Sequence, residues 1–547
     1  MIALAIAGCS STSSTSTSPG SSPGGSEAAG QSGGTFIDGA QLYADNLTSY
    51  DPGQVQTLDE SQVTTALYDG LTDFDFSNKE KPVLKPLVAE KWEANSDATE
   101  FTFTIKKDQV FSNGDPVLPS SFKYAWNRNG QKDFASPYGY FIKYVKGGAE
   151  LQEGTATDLG NSVVADDTAM TLKVTLSEPE ADFPAIVSHP FFGPLPEKEV
   201  SKLTDQTQWD KGIMIGNGPF KMKQPKNDQE VILVRNDKWG GNVLGDKSAK
   251  LDEIDFKISK DPQSGYAAYQ AGDVMSSTIP SGQYADAMQY PNTTKSPTLG
   301  SYYFDFGFTD PQLMGDKNLK LRQAISLIVD RDEINAKVYE NTRTIGTGIV
   351  MPGIPGFKEG LCKYCKRDAD QAKKLFAEWK SAGGSLSGPI TVDFNTGGGH
   401  EDVVAIIQNN LKELGIETTT NPVSEKYFSK MPAEGGCHFC RAGWYADYPA
   451  YSTFMVDLFS SASLEGNNMG HFSDEKFDAM LKQARATTDD QKRYEIYQQA
   501  ESYLLNDVTA TVPLNWYNGD QVYSDKVTGY DQPPLGIILW ERVALKS

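Results

Sequence analysis

Residues 100–108 read EFTFTIKKD, and their alternation of apolar and polar side chains is typical of a β-strand. Phe101, Phe103 and Ile105 would lie on one face of that strand and be buried there. The same alternation recurs in two further stretches, TLKVTLSE (residues 171–178) and EVILVRND (residues 230–237). These patterns predict half-buried strands.

Other stretches have the spacing of amphipathic helices. Residues 368–379 read DADQAKKLFAEW, in which Asp368 can cap a helix. The apolar residues of three such stripes are Ala372, Leu375, Phe376 and Trp379; Leu321, Ile325 and Ile328; and Ile496, Ala500 and Tyr503. Strands and helices interleave without a fixed repeat, which predicts a mixed α/β protein of several domains.

Length and charge limit the classes of protein that this chain can represent. The chain has 547 residues, whereas a single core rarely grows past about 250 to 300 residues. Its 72 acidic and 50 basic residues give a formal net charge of −22, which repels phosphate backbones and anionic lipid surfaces. We therefore expect two or three domains and no nucleic-acid partner.

The N-terminus carries a candidate lipidation site. Residues 1–8 are mostly apolar, and Ala7 and Gly8 precede Cys9, as in the lipobox of bacterial lipoproteins. We interpret residues 1–8 as the remnant of a signal peptide and Cys9 as the lipidated residue. The run is short and lacks a basic segment, so we expect that the true start lies upstream or was trimmed. The alternative is a chance cysteine after a buried apolar strand.

A low-complexity segment follows Cys9. Residues 10–34 are rich in Ser, Gly, Thr and Pro and nearly free of apolar side chains, so burial cannot offset the entropy of ordering them. We interpret residues 9–35 as a lipidated cysteine with a disordered tether. No later apolar run approaches the length of a membrane span. The sequence thus predicts a protein attached to the outer face of a cell membrane.

No catalytic set can be assembled from the sequence. The chain has four histidines, and His400 lacks the second histidine of the helical zinc signature. A formal G-x-S-x-G at residues 20–24 lies within the predicted tether, without the flanking strand and helix that this motif requires. We therefore expect no enzymatic activity and no cofactor.

Four cysteines beyond Cys9 form two C-x-x-C pairs. They are Cys362 with Cys365 and Cys437 with Cys440. Disulfides, free buried thiols and a tetrahedral zinc site all remain open, with disulfides favoured in an exported protein. If residues 437–444 form a strand, Cys437 and Cys440 point to opposite faces, which argues against a bridge between them and leaves room for pairing with Cys362 or Cys365.

Two opposite charges flank a group of aromatic residues in residues 440–451, CRAGWYADYPAY. In an extended chain Arg441 and Asp447 could share a face, with a gap between them of about the length of a short peptide. Asp447 would accept from the ammonium of that peptide, and Arg441 would bind its carboxylate. The alternative is a surface arginine and aspartate on an edge strand.

The residues between these charges suit a peptide ligand. Gly443 would let a ligand backbone approach closely enough to pair as an added strand. Trp444, Tyr445 and Tyr448 could line pockets for its side chains.

Several stretches together resemble the large extracellular solute-binding proteins of ABC importers, family 5, and most closely its oligopeptide-binding members. In chain order they are LYDGLTDFD (67–75), PLVAEKWE (86–93), FTFTIKKDQVFSNGDPVLPSSFKYAWNR (101–128), FASPYGYF (134–141), TDLGNSVVADDTAMTLKVTLSEP (157–179), GNGPFKM (216–222), LRQAISLIVDRDEI (321–334) and RAGWYADY (441–448). The resemblance runs from about residue 36 to the C-terminus.

The resemblance implies a fold and roles for site residues. The fold is that of periplasmic binding proteins, bilobal with an inserted third lobe and a ligand cleft between lobes. Asp447 would pair with the peptide ammonium and Arg441 with its carboxylate. Gly443 and Tyr445 would pair with the peptide backbone, while Trp444 and Tyr138 would line the cleft. The implied lobes are lobe I (36–77, 195–299 and 517–547), the inserted lobe II (78–194) and lobe III (300–516).

The predicted function is that of a monomeric, lipid-anchored receptor that binds short peptides and delivers them to ABC permease subunits. Three alternatives remain: the same fold binding a sugar, a metal chelate or another small molecule; a peptide sensor without transport; and a secreted hydrolase. The lack of a catalytic set disfavours the hydrolase.

Overall fold

The computed structural model describes residues 33–203, 208–209, 212, 214–224, 227–423 and 426–546. The predicted signal remnant at residues 1–8, the lipidated Cys9 and most of the tether lie outside the described residues. These features therefore stay predictions.

Strands and helices interleave along the chain, as the sequence predicts. The strands are β1 (Thr35–Tyr43), β2 (Thr72–Asp75), β3 (Val83–Pro86), β4 (Ala89–Ala94), β5 (Glu100–Ile105), β6 (Val163–Asp166), β7 (Thr171–Thr175), β8 (Phe220–Met222), β9 (Glu230–Arg235), β10 (Glu253–Ser259), β11 (Ser276–Thr278), β12 (Thr293–Phe306), β13 (Thr344–Ile345), β14 (Ile390–Asn395), β15 (Thr418–Val423), β16 (Phe439–Tyr445), β17 (Thr511–Tyr523), β18 (Val527–Thr528) and β19 (Ala544–Leu545).

The α-helices are α1 (Leu58–Leu67), α2 (Pro119–Gly130), α3 (Gly148–Glu153), α4 (Phe183–Ile186), α5 (Glu197–Val200), α6 (Pro262–Ala271), α7 (Tyr284–Ala287), α8 (Leu319–Ile328), α9 (Arg331–Val338), α10 (Ala369–Ser381), α11 (His400–Lys412), α12 (Tyr427–Ala433), α13 (Ser452–Phe459), α14 (Glu475–Arg485) and α15 (Asp490–Ser502). A π-helical turn, Tyr503–Val508, continues α15. None of the described helices is both long and apolar enough to cross a bilayer.

The predicted strands and helices form where the patterns place them. Phe101, Phe103 and Ile105 are buried in β5, which pairs with β4 and β7. Asp368 caps α10 by accepting a hydrogen bond of 2.9 Å from the backbone N–H of Gln371. Burial of one apolar face per element explains why the periodicity predicts these elements.

Three sheets form the framework. One has the strand order β1-β10-β9-β8, another has the order β4-β5-β7-β6, and the largest has the order β11-β17-β12-β16-β14-β15 with β13 paired to β17. In the largest sheet β12 pairs antiparallel with both β16 and β17, while β14 pairs parallel with β15 and β16. This mixture of strands and helices is the predicted α/β class.

The buried cores do not follow every predicted lobe boundary. Phe36 and Trp540, from predicted lobe I, share one buried cluster with Phe101 and Trp126, from predicted lobe II. The strands β12 and β17 continue through the boundaries predicted at residues 299/300 and 516/517. The division into three lobes therefore stays a prediction.

The argument against a bridge between Cys437 and Cys440 is wrong, whereas the disulfides that the sequence favours do form. Disulfides join Cys362 to Cys365 and Cys437 to Cys440, and the Cα atoms of the second pair are 5.8 Å apart. The strand β16 begins only at Phe439, so Cys437 lies in the bend before it and turns toward Cys440. No group of three or more His, Cys, Asp or Glu side chains suited to a metal ion occurs among the described residues.

Candidate functional site

The strand β16 carries the motif that the sequence singles out. Arg441, Gly443 and Tyr445 lie opposite Phe304, Tyr302 and Gly300 of β12. On its other side, β16 pairs with β14 only through Phe439 and Cys440. Beyond Cys440, no strand among the described residues pairs with the β14-side edge of β16, which we call its open edge.

The backbone of Gly443 and Tyr445 faces this open edge. The N–H of Ala446 donates to the carbonyl of Leu299 in the β12 direction (2.7 Å), whereas the carbonyl of Arg441 accepts from the hydroxyl of Tyr427 (2.8 Å). Because successive residues of an antiparallel strand direct their backbone groups to alternate sides, Gly443 and Tyr445 share the orientation of Arg441.

A cavity of about 710 Å³ opens beside this edge. Five of the six predicted ligand-binding residues lie in its wall. Four come from one segment, Gly443, Trp444, Tyr445 and Asp447, and Tyr138 comes from a distant one. The wall residues that bear on its chemistry are Tyr138, Tyr140, His189, Gly443, Trp444, Tyr445, Asp447, Phe428, Asp69, Asp73, Trp239, Trp540 and Glu541. The cavity wall thus includes several aromatic side chains and several carboxyl groups.

Asp447 lies in this wall without a cationic partner. Its Oδ2 accepts a hydrogen bond of 2.8 Å from the hydroxyl of Tyr140. Burial raises the pKa of Asp447 to about 7, although hydrogen bonds from Tyr140 and Tyr138 oppose that rise. Across the described part of the chain, Asp447 forms no salt bridge.

Arg441 is buried in a cage of aromatic and amide groups. Its side chain is 8% exposed, and its guanidinium lies over the rings of Tyr302 (4.7 Å) and Phe428 (5.4 Å). Nη1 donates to Oδ1 of Asn395 (3.1 Å) and Nη2 to the hydroxyl of Tyr517 (3.5 Å), while Nε has no hydrogen-bond partner. Arg441 is not in the wall of the 710 Å³ cavity, so the structure does not bring it and Asp447 into one wall.

Gly443 lies between Arg441 and the cavity. A Cβ at this position would come within 2.4 Å of the Tyr517 hydroxyl and 3.2 Å of Nη2 of Arg441. The ring of Tyr445 lies 4.8 Å from that of Tyr517. Only glycine therefore fits here without displacing Tyr517.

Trp444 and Tyr138 both lie in the cavity wall. Trp444 donates from Nε1 to Oγ1 of Thr453 (3.1 Å), which fixes its indole. The ring of Tyr138 packs against Phe141 (5.4 Å) and against His189 (4.5 Å). These contacts hold two aromatic rings in the cavity wall.

Tyr140 and His189 are wall residues that sequence reasoning missed. Tyr140 follows Tyr138 by two residues in the stretch FASPYGYF. This second tyrosine beside a predicted cleft residue is the sequence signal that could have identified Tyr140. His189 accepts from the backbone N–H of Phe191 (3.2 Å), and burial lowers its pKa to about 3. His189 is therefore a neutral packing partner of Tyr138. No sequence pattern pointed to it.

Three further carboxyl groups lie in the wall: Asp69, Asp73 and Glu541. Burial raises the pKa of each, that of Asp73 to about 7. Nε1 of Trp239 donates to Asp69 (2.7 Å). Raised pKa values favour the protonated, neutral form of these three carboxyl groups.

Comparison with known proteins identifies a family and several relatives to which this chain is similar. The model of the bacterial extracellular solute-binding proteins, family 5 middle, matches residues 83–465. The dipeptide-binding protein DppE of Bacillus subtilis (strain 168) is 27% identical over 515 residues, which cover 91% of this chain and 90% of the relative. The periplasmic oligopeptide-binding protein OppA of Escherichia coli (strain K12) is 28% identical over 499 residues, which cover 88% of this chain and 87% of the relative.

A further relative has a different named ligand, and a solved structure shares the fold. The probable deoxycholate-binding periplasmic protein YgiS of Escherichia coli (strain K12) is 27% identical over 482 residues, which cover 85% of each chain. The crystal structure of Haemophilus influenzae OppA in complex with RPPGFSPFR has a TM-score of 0.71 and 25% identity, and covers 94% of this chain and 99% of that chain.

Proposed function

The chain belongs to the bacterial extracellular solute-binding proteins of family 5, and from that premise we propose that it is a receptor that binds short peptides and delivers them to an ABC importer. The family is one of solute-binding receptors and not of enzymes. Among its relatives are proteins named for binding dipeptides and oligopeptides.

The observation that carries this proposal is the carboxyl group of Asp447. It faces a cavity, two tyrosines hold it, and no described cation neutralises it. A buried carboxylate without a counter-charge is costly. The ammonium of a peptide N-terminus would supply that charge together with hydrogen-bond donors.

The open edge of β16 indicates how a bound peptide would be oriented. An extended peptide that starts at Asp447 would meet the backbone groups of Tyr445 and Gly443, as an added strand does. Main-chain pairing does not depend on side chains, so it would admit many peptide sequences. In this arrangement the peptide runs from Asp447 toward Arg441, whose guanidinium would attract its C-terminal carboxylate.

Anchoring and delivery belong to the same proposal. A lipid on Cys9 and the tether at residues 9–35 would hold a monomeric receptor on the outer face of the cell membrane. There it would lie near the permease subunits that take its peptide. The relatives are periplasmic or extracellular proteins, which supports this location. A peptide sensor without transport would bind peptides equally well. Measuring peptide uptake by cells that lack the chain separates the two functions, because only loss of a transport receptor reduces uptake.

A second candidate ligand is an amphipathic carboxylate. The relative YgiS is named for probable deoxycholate binding, and the cavity here has several aromatic residues in its wall. A bile acid has no ammonium for Asp447. The cavity therefore favours the peptide.

Calorimetry with matched ligands tests the proposal. Protein freed of co-purified ligand by unfolding and refolding would be titrated with a free tripeptide, with its N-acetylated form and with deoxycholate. We expect the free tripeptide to bind and acetylation to weaken binding by at least about thirtyfold, because it removes the cation. Equal binding of the two peptides, or binding of deoxycholate alone, would overturn the proposal.

A further inference from the structure

Large apolar side chains are exposed in the wall of the 710 Å³ cavity. Eight large hydrophobic residues are exposed in the described part of the chain, and three of them, Leu58, Phe428 and Tyr445, lie in this wall. Phe428 is 46% exposed and Tyr445 is 54% exposed. Apolar area that is exposed inside a concave site is area that a ligand can remove from water.

Phe428 is held beside the open edge of β16 by its neighbour Tyr427. The hydroxyl of Tyr427 lies 3.0 Å from the carbonyl oxygen of Asp393 in β14 and 2.8 Å from that of Arg441 in β16. Tyr427 is buried, and its ring packs edge-on against that of Phe428 (5.2 Å). The tyrosine thus fastens the helix α12 to both strands just past their last paired residues, and Phe428 stands next to that point.

Phe428 and Tyr445 flank a position that has no side chain of its own. Arg441, Gly443 and Tyr445 are alternate residues of β16, so their side-chain positions lie on one face of the strand. The ring of Phe428 lies over the Arg441 guanidinium (5.4 Å) at one end of this row, and Tyr445 occupies the other end. Gly443 lies between them and is itself a wall residue. The cavity therefore reaches the backbone between the two exposed rings, with the Tyr517 hydroxyl at its base.

The size and the chemistry of this gap suit one apolar side chain. Arg441 and Tyr445 are four residues apart in the strand, which corresponds to about 13 Å. An aromatic ring of the ligand could pack on Phe428 and Tyr445 by offset or edge-on contacts. A basic side chain would meet the guanidinium of Arg441 beneath Phe428, and any charged side chain would lose water against the two rings.

We propose that Phe428 and Tyr445 form a pocket over Gly443 that takes one apolar, preferably aromatic, side chain of the bound peptide, and that Phe428 determines this specificity. The inference rests on the proposed function, because the peptide must lie along the open edge of β16 with its ammonium at Asp447. Successive side chains of an extended peptide point to opposite sides. The preference should therefore apply to a single position of a short peptide.

The test places one phenylalanine at each position of an alanine tetrapeptide in turn. Calorimetry would give the affinity of each peptide, and of the peptides with Lys or Glu at the position that phenylalanine favours, for wild-type protein and for the Phe428→Ala and Phe428→Leu variants. We expect wild-type protein to bind the phenylalanine peptide about tenfold or more tightly than tetra-alanine at one position only. Phe428→Ala should reduce that ratio to within about threefold, and Phe428→Leu should keep more of it.

Met288→Ala is the matched control for the loss of an exposed apolar side chain. Met288 is 60% exposed and lies outside the wall of the 710 Å³ cavity, so its loss should leave the ratio unchanged. Thermal unfolding would show that each variant is folded.

Three results would overturn the inference: no preference for phenylalanine at any position, the tightest binding with Glu, or an unchanged ratio in folded Phe428→Ala. If wild-type protein still binds tetra-alanine and discriminates against its N-acetylated form, only the inference falls. If it binds no peptide at all, the proposed function falls as well.

Discussion

The hydroxyl of Tyr140 donates a hydrogen bond of 2.8 Å to Oδ2 of Asp447, a residue 307 positions further along the chain. Tyr140 lies in a short 3-10 helix, Gly139–Tyr144, whereas Asp447 follows the end of β16. The contact therefore joins two distant parts of the chain across the cavity wall. It holds the carboxyl group in place before a ligand arrives, which limits the entropy lost on binding.

Asp447→Asn should weaken the binding of free peptides by at least about 2 kcal/mol, or about thirtyfold. The amide keeps the size and the acceptor oxygen of the side chain but not its charge, so the peptide ammonium loses its partner. N-acetylated peptides should bind the variant and the wild type alike. Isothermal titration calorimetry measures both quantities.

Asp402→Asn is the matched control, since Asp402 is an exposed residue of α11 outside the cavity wall. A thirtyfold loss in this control as well would mean that net charge, and not Asp447, determines the affinity.

The pKa of Asp447 predicts a pH dependence of stability. The pKa is raised from 3.8 to about 7 in the folded protein. The folded state thus keeps a proton that the unfolded state releases, so the stabilisation is fully present below about pH 4 and is lost as pH rises through about 7. Asp447→Asn should lose this dependence. Its free energy of unfolding relative to wild type should therefore rise from pH 5 to pH 8.

Urea unfolding of both proteins across that range measures the difference. Asp73 also has a pKa near 7, so the comparison between the two proteins, and not either curve alone, reports on Asp447. A constant difference would contradict the account.

Arg493→Met should lower the free energy of unfolding by about 3 kcal/mol, because it leaves a buried carboxylate unpaired. Nε of Arg493 lies 3.0 Å from Oδ1 of Asp182, and the two side chains are 6% and 5% exposed. Adding Asp182→Asn should recover part of that loss. Chemical denaturation measures all three proteins.

Lys492→Met provides the control at the next residue. Lys492 lies 3.8 Å from Asp489, and the two side chains are 74% and 52% exposed. Exposed pairs contribute about 0 to 1 kcal/mol, so this change should be small. Equal losses at both positions would contradict a special role for the buried pair.

Gly443→Ala should reduce peptide affinity by about tenfold or more, because its Cβ displaces Tyr517 and narrows the open edge of β16. Gly388→Ala is the control, since a Cβ there meets no atom within 4 Å. Calorimetry gives the affinities, and thermal unfolding tells whether the variant is still folded. A folded Gly443→Ala variant with unchanged affinity would exclude backbone approach at this position.

The sequence predicted the elements whose apolar pattern is periodic. Phe101, Phe103 and Ile105 identified β5, and the cap at Asp368 identified α10, because both signals are local. The resemblance to family 5 is confirmed by the family match over residues 83–465. The roles assigned to individual site residues stay predictions.

Features that depend on distant contacts could not be predicted. The pairing of Cys437 with Cys440 depends on where β16 begins, a boundary that periodicity does not fix. The contact of Tyr140 with Asp447 depends on how separate segments pack. Neither residue has a local signal for its partner.

Native mass spectrometry of gently purified protein is the most direct test of the central claim that the cavity holds a peptide. The ligand would be released by denaturation, and its mass and fragments would be measured. We predict a set of short peptides of mixed sequence, with free N-termini. A single non-peptide mass would contradict the claim and would assign Asp447 and Arg441 to a structural role.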